Sequence, residues 1–154
     1  MGENYKLTIE LVPQTSWYNN VRSKVSSDEW DIIRKKSYKI ANYVCEICGD
    51  NGINQGFSHP VECHEVWAYD DTHNIQKLIG FISLCPLCHK VKHIGLAKVN
   101  NELDIAINHL MKVNSIGKRT ATRYIEQSFN VWRERNKNNW VVDVSYIKKF
   151  LNKK

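Results

Sequence analysis

The sequence contains no apolar run approaching the roughly 18 residues that a membrane-spanning helix needs. It also lacks the basic start and apolar stretch of a secretory signal, since it opens MGENYKLTIELVPQ with acidic and polar residues throughout. The chain begins Met-Gly, but position six is Lys6, where the myristoylation pattern requires Ser or Thr. Internal repeats, low-complexity segments and obvious linkers are missing as well. These absences point away from a membrane and toward a cytoplasmic protein. The 154 residues are then expected to form one domain, 1–154, whose core needs no disulfides. In a reducing compartment the five cysteines call for another explanation.

Acidic residues are scarce in one region only. From Lys118 to Lys154 there are ten Lys/Arg against three Asp/Glu, whereas residues 1–117 carry twelve against thirteen. The net charge of +6 therefore lies in the last quarter, interleaved with Tyr124, Phe129, Trp132, Trp140, Tyr146 and Phe150. A concentrated basic surplus gains from counterion release at phosphates, which suggests a nucleic-acid surface. The same pattern also describes a solvated basic face beside a helical core stripe.

Hydrophobic periodicity outlines the elements. Lys6–Val12 alternates, with Leu7, Ile9 and Leu11 against Lys6, Thr8 and Glu10, and predicts a short strand ended by Pro13. Ser26 and Glu29 form a capping-box pattern. Trp30, Ile33, Ser37, Ile40, Ala41 and Val44 then recur at helical spacing, predicting a helix that runs into Cys45. Residues 49–60 read as a Gly/Asn-rich loop, and Pro60–Trp67 and Leu78–Leu84 as strands joined by the polar stretch Ala68–Gln76. Helices are predicted over Leu87–Val99, Glu102–Val113 and Lys118–Arg135, with a short one from Ser145 to Leu151.

The cysteines carry the strongest signal. Cys45-x-x-Cys48 is followed, after 36 residues, by Cys85-x-x-Cys88. Two residues between cysteines let both thiolates of a pair face one centre, and two such pairs supply the tetrahedral sulfur set of a structural Zn²⁺ site. Gly49 after the first pair permits a left-handed turn, and Pro86 inside the second fixes a backbone angle. Four sulfurs leave no coordination position for water, so this ion would be structural. Cys63 is left over and reads as a small buried residue.

Histidines supply a second constellation. Glu62-Cys63-His64-Glu65 lies on the first predicted strand, and His89 and His93, four apart, share one face of the helix that starts at the second cysteine pair. A divalent cation on imidazoles with open positions is what metal-assisted phosphodiester cleavage requires. A mixed-ligand zinc site, or one histidine hydrogen-bonded to a cysteine sulfur, is the competing explanation for His89 and His93. His59, His73 and His109 read as background.

The segments Cys45-Glu-Ile-Cys-Gly49, Val61-Glu-Cys-His-Glu-Val-Trp67 and Leu84-Cys-Pro-Leu-Cys-His-Lys-Val-Lys-His-Ile-Gly95 occur in the order found in HNH endonucleases, and the chain resembles that family over roughly residues 43–98. The resemblance implies an α+β fold. Its small ββα-metal core with two zinc knuckles, 43–98, would be surrounded by an N-terminal strand and helix, 1–42, and a basic helical C-terminal region, 99–154. It implies His93 as a ligand of a catalytic divalent metal (Mg²⁺, Mn²⁺, Ni²⁺ or Zn²⁺) and His89 beside the metal and the scissile phosphate. On the strand two registers stand open. Either Cys63 holds the ligand place and His64 is the general base, or His64 is the ligand and Glu65 the base. The alternation of a strand puts His64 and Glu65 on opposite faces, so both can act together only at a bulge or a strand end. The family's middle Asn has no direct counterpart, leaving Asn74, Asp70 or Asp71 as substitutes. The implied partner is double-stranded DNA, with Lys90, Lys92, Lys118, Arg119 and Arg123 as candidate phosphate contacts. The alternatives are a non-catalytic zinc-stapled nucleic-acid-binding module and a protein-interaction adaptor.

Overall fold

The computed structural model describes residues 4–153, so the Met1-Gly2 start lies outside the described residues. The fold is α+β, with a small three-stranded sheet among several helices. No helix is long and apolar enough to cross a membrane.

Strands β1 (Glu62–Asp70) and β2 (Ile75–Leu84) form an antiparallel hairpin longer than the periodicity suggested. The polar stretch between them reduces to a four-residue turn, 71–74, closed by Asn74 in the left-handed region at φ 54. Pairing skips one residue on β2: Val66 sits opposite Gly80 and Trp67 opposite Leu78. This bulge at Ile79 reverses the alternation of β2. As a result Leu78 and Phe81 join one hydrophobic core, while Ile82 and Leu84 join another. The first core gathers Val21, Ile33, Ile147 and Phe150 around Cys63 and Trp67. The second gathers Leu7, Ile9, Val91, Ile94, Leu110 and Ile125 around the four cysteines of the two knuckles. A third strand, β3 (Val141–Asp143), pairs parallel to β2. Three residues are too few for alternation to announce it.

Helix α1 (Ser27–Ile40) starts at the predicted capping box: Ser26 Oγ accepts the Glu29 amide and Glu29 accepts the Ser26 amide, both at 3.1 Å. It stops short of Cys45. Asn42 and Tyr43 adopt positive φ angles of 55° and 59°, turning the chain back before the first knuckle. Helix α2 (Pro86–Lys92) and α3 (Ile94–Val99) replace the single helix expected over Leu87–Val99. The break falls on His93, whose φ of −104° and ψ of 47° lie outside the helical region. Helices α4 (Leu103–Asn114), α5 (Lys118–Arg135) and α6 (Tyr146–Leu151) lie close to expectation.

The expected N-terminal strand is corrected. Leu7 and Ile9 are buried, as the alternation required, but the segment joins no sheet. Side chains of α4 and α5 satisfy its backbone instead. Asn114 accepts the Leu7 amide at 3.0 Å and donates to the Leu7 carbonyl at 2.8 Å. Tyr124 Oη accepts the Ile9 amide at 2.9 Å, and the Trp132 indole donates to the Val12 carbonyl at 3.0 Å. Alternation reports which face is buried, not what pairs with the backbone.

Candidate metal centres

The two knuckles meet. The sulfurs of Cys45, Cys48, Cys85 and Cys88 all lie within 4.8 Å of one another, with Cys48 Sγ and Cys85 Sγ 3.6 Å apart. A tetrahedral ion with Zn–S bonds of about 2.3 Å separates its sulfurs by about 3.8 Å, so the cage has the right size. Local backbone builds it. Gly49 turns at φ +80° and donates its amide to the Cys45 carbonyl at 3.0 Å. The Cys48 amide reaches Cys45 Sγ at 3.5 Å, and the Cys88 amide reaches Cys85 Sγ at 3.3 Å, with Cys85 as N-cap and Pro86 opening α2. Glu46 ties the first knuckle to β2: its amide donates to the Ser83 carbonyl at 2.9 Å and its carboxylate accepts the Ser83 amide at 2.6 Å.

Crowding sets the thiols against one another. Hydrogen bonds from Cys85 and Cys88 drive Cys45 strongly down, while the bond to Cys45 drives Cys88 strongly up and burial pushes Cys48 up to about 12. Four thiolates cannot share this buried space without a cation. The four-cysteine cluster therefore fits a structural metal ion. His109, read as background, is buried on α4 with Nε2 3.2 Å from Cys88 Sγ. Its position 21 residues downstream in an ordinary helical context gave no signal.

A second cluster sits where α2 meets the hairpin. Ring nitrogens of His64, His89 and His93 lie within 4.8 Å of one another, and the two helix residues are in contact, Nε2 to Nε2, at 3.1 Å. The His64 ring meets the other two edge-on at centroid distances of 5.3 and 5.2 Å. Burial, reinforced by His89, His93 and Lys92, pushes His64 down to about 2, and burial lowers His93 to about 4. Both rings are thus neutral at ordinary pH, the state in which imidazole can ligate a metal.

The sequence named Glu62 within the strand's constellation but gave it no role; it shares the His64 face of β1 two residues away. Its carboxylate accepts from His89 Nδ1 at 2.8 Å and pairs with His59 Nε2 at 2.8 Å. The hydrogen bond from His89 is the main cause that holds Glu62 down to about 2. A carboxylate on the far nitrogen fixes the tautomer and direction of a ligating histidine, leaving Nε2 toward the metal. The period of two was the available signal.

Glu65 is not brought to this cluster. It lies on the opposite face of β1 beside the Val21 amide, Arg22 and Trp67, where burial raises it to about 7. The irregularity between Val66 and Trp67 lies beyond Glu65 and leaves the alternation of β1 intact. Nor do Asp70, Asp71 and Asn74 approach. They lie at the end of β1 and in the turn that follows, roughly 20 Å along the strand from His64 at 3.3 Å per residue, where Asp70 accepts the His73 amide and Asp71 pairs with Arg135 at 2.9 Å.

Among the expected phosphate contacts, Lys90 is tied to Glu102 at 2.8 Å and the largely buried Lys92 to Glu10 at 3.0 Å. Lys118, Arg119 and Arg123 are exposed at the start of α5. A cavity of about 1050 Å³ opens beside His64 and His93, and of the five only Lys92 lines it, alongside Lys6, Lys98 and Arg133.

No family model matches the chain, and no match is found among curated proteins or solved structures.

Proposed function

We propose that the protein is a metal-dependent endonuclease of the HNH type, hydrolysing phosphodiester bonds in DNA. The observation that carries this reading is the convergence of His64, His89 and His93, with His64 and His93 at the wall of an open cavity, beside a separate four-cysteine cage. One cluster is closed by four sulfurs and suits Zn²⁺ as a structural ion. The other offers three imidazoles and space. Its donor set suits Ni²⁺, Zn²⁺ or Mn²⁺ better than Mg²⁺, which prefers oxygen. When bound, the ion supplies Lewis acidity toward the phosphate oxygens where charge develops.

The chain's own residues do the rest. Desolvation in this half-buried site keeps His64 and His93 unprotonated. Glu62 orients His89 through its Nδ1. The 2.8 Å contact between Glu62 and His59 braces that carboxylate from the other side. His64 acts within the ligand set, since its ring nitrogen lies within 4.8 Å of those of His89 and His93, whereas Cys63, the ligand of the other register, packs into the core of Val21 and Leu78. The shared cysteine cage holds the start of α2, and so His89 and His93, against the hairpin that carries His64.

A second reading, a zinc-stapled module that binds nucleic acid without cutting, draws support from the distance of Asp70, Asp71 and Asn74 from the histidines. One assay separates the two. Purified protein is incubated with supercoiled plasmid and with a single-stranded circle, each with Mg²⁺, Mn²⁺, Ni²⁺ or Zn²⁺, beside His64→Ala and His93→Ala. Cleavage that both variants lose supports the enzyme. Nucleic-acid binding with no variant-sensitive cleavage under any metal rejects it.

A further inference from the structure

The cavity beside His64 and His93 contains more than a metal ion needs. Its lining is mostly apolar, and much of that surface is aromatic. Trp17 and Tyr18 follow the short 3-10 helix Gln14–Ser16 and stand 48% and 84% exposed, large rings with little protein covering them. Phe129 and Trp132, which also line the cavity, lie one turn apart on α5, edge to face with centroids 6.0 Å apart. The polar edge of the Trp132 indole is occupied by its bond to the Val12 carbonyl, so the rest of the ring presents apolar surface. Cations stand among these rings: Lys98 Nζ lies 5.5 Å over the Phe129 ring, and Arg133 follows Trp132 at the rim. Three acidic groups also line the cavity: Glu10 is matched by Lys92, Glu65 is held beside the Val21 amide and Arg22, and Glu126 stands against Lys6, Lys98 and Arg133.

Flat apolar rings interleaved with cations form the surface that stacks bases and follows a sugar-phosphate chain. Bases inside a duplex stack on one another and offer a protein only their edges and phosphates, so an aromatic cavity has nothing to grip there. Bases taken out of the stack expose both faces. A cavity of about 1050 Å³ is on the order of 10 Å across, about three stacking steps of 3.4 Å. Such bases would lie directly beside the imidazoles that line the same wall.

We infer that the aromatic cavity formed by Trp17, Tyr18, Phe129 and Trp132 receives unpaired bases of a single-stranded or locally opened nucleic acid, placing the adjoining phosphodiester at the histidine cluster. This deepens, and rests on, the nuclease reading above. It replaces the intact duplex implied by the motif resemblance with an unpaired substrate.

The test is binding, measured apart from cleavage. Fluorescence anisotropy would follow a labelled 12-nucleotide strand and the same sequence as a blunt duplex, in DNA and in RNA, with no added divalent ion. The single strand should bind about tenfold tighter than its duplex in at least one of the two chemistries, and should quench tryptophan fluorescence. Trp17→Ala and Tyr18→Ala should each weaken single-strand binding several-fold, in keeping with the loss of a stacking ring, while leaving the melting temperature unchanged. Equal or tighter duplex binding in both chemistries, binding of neither form, or insensitivity to both variants would overturn the inference. A protein that binds single strands through these rings but cleaves nothing under any metal would overturn the nuclease reading and leave the cavity assignment standing. Variant-sensitive cleavage of duplex alone, with weak single-strand binding, would do the reverse.

Discussion

Replacing Glu62 by Ala probes the metal-centre argument at a residue that would not itself ligate the ion. The carboxylate holds His89 Nδ1 at 2.8 Å, and no other side chain is seen on that nitrogen among the described residues. Removing such a partner from a metal-binding histidine typically costs 10- to 100-fold in affinity. The lower end applies here for two reasons. Glu62 is 35% exposed, so water screens part of its charge. His89 is also steered from the backbone by α2 and touches His93 at 3.1 Å. The expected loss is about tenfold, or about 1.4 kcal/mol. Titration calorimetry with Ni²⁺ would measure it, using protein in which a weak chelator has cleared the histidine site and metal analysis confirms that the cysteine site remains loaded. Glu62→Gln should lose less, because its amide oxygen can still accept from Nδ1–H. Unchanged Ni²⁺ affinity in Glu62→Ala would refute the argument that this carboxylate orients a metal-binding His89.

Cys85→Ser should lose bound zinc and cooperative unfolding together, seen by metal analysis and a thermal melt, because zinc binding of roughly 10–16 kcal/mol rivals the whole stability of a domain. A variant that melted like the wild type would reject a structural role. Gly52→Ala should destabilise by about 2–3 kcal/mol, because its new Cβ would sit 2.1 Å from the His59 carbonyl oxygen and 2.9 Å from Pro86, beside Cys85. Calorimetry should show Tm falling on the order of 5–10 °C for a chain of this size. Acid should weaken the protein with its histidine site cleared of metal. His64 near 2 and His93 near 4 lie below their ordinary 6.5, so the unfolded chain binds more protons and stability drops as pH falls from 6.5. Glu65, raised to about 7, opposes them down to 4.5, and below 4.5 Glu62, lowered to about 2, adds to the loss. Two histidines against one carboxyl leave a net decline, so the urea midpoint should fall between pH 7 and 4, and His64→Ala should flatten that slope.

Much of this molecule follows from local rules that the sequence carries openly. Two Cys-x-x-Cys turns, a glycine free to turn left-handed, a capping box at Ser26, and His89 and His93 one turn apart each depend on neighbours within four residues. Spacing therefore sufficed to place them. The presence of both strands and helices followed from the same periodicities. What the sequence left open depended on partners far along the chain. The backbone of Leu7 is satisfied by Asn114, 107 residues away, so an alternating segment that reads as a strand lies outside the sheet. His109 reaches Cys88 only because α4 packs against α2. The choice between Glu62 and Glu65 likewise needed the third dimension. Both flank His64, and only the fold shows which face of β1 looks toward α2 and which toward the Val21 core. Local spacing determined the ligand-rich turns, and long-range packing decided which of their neighbours share one site.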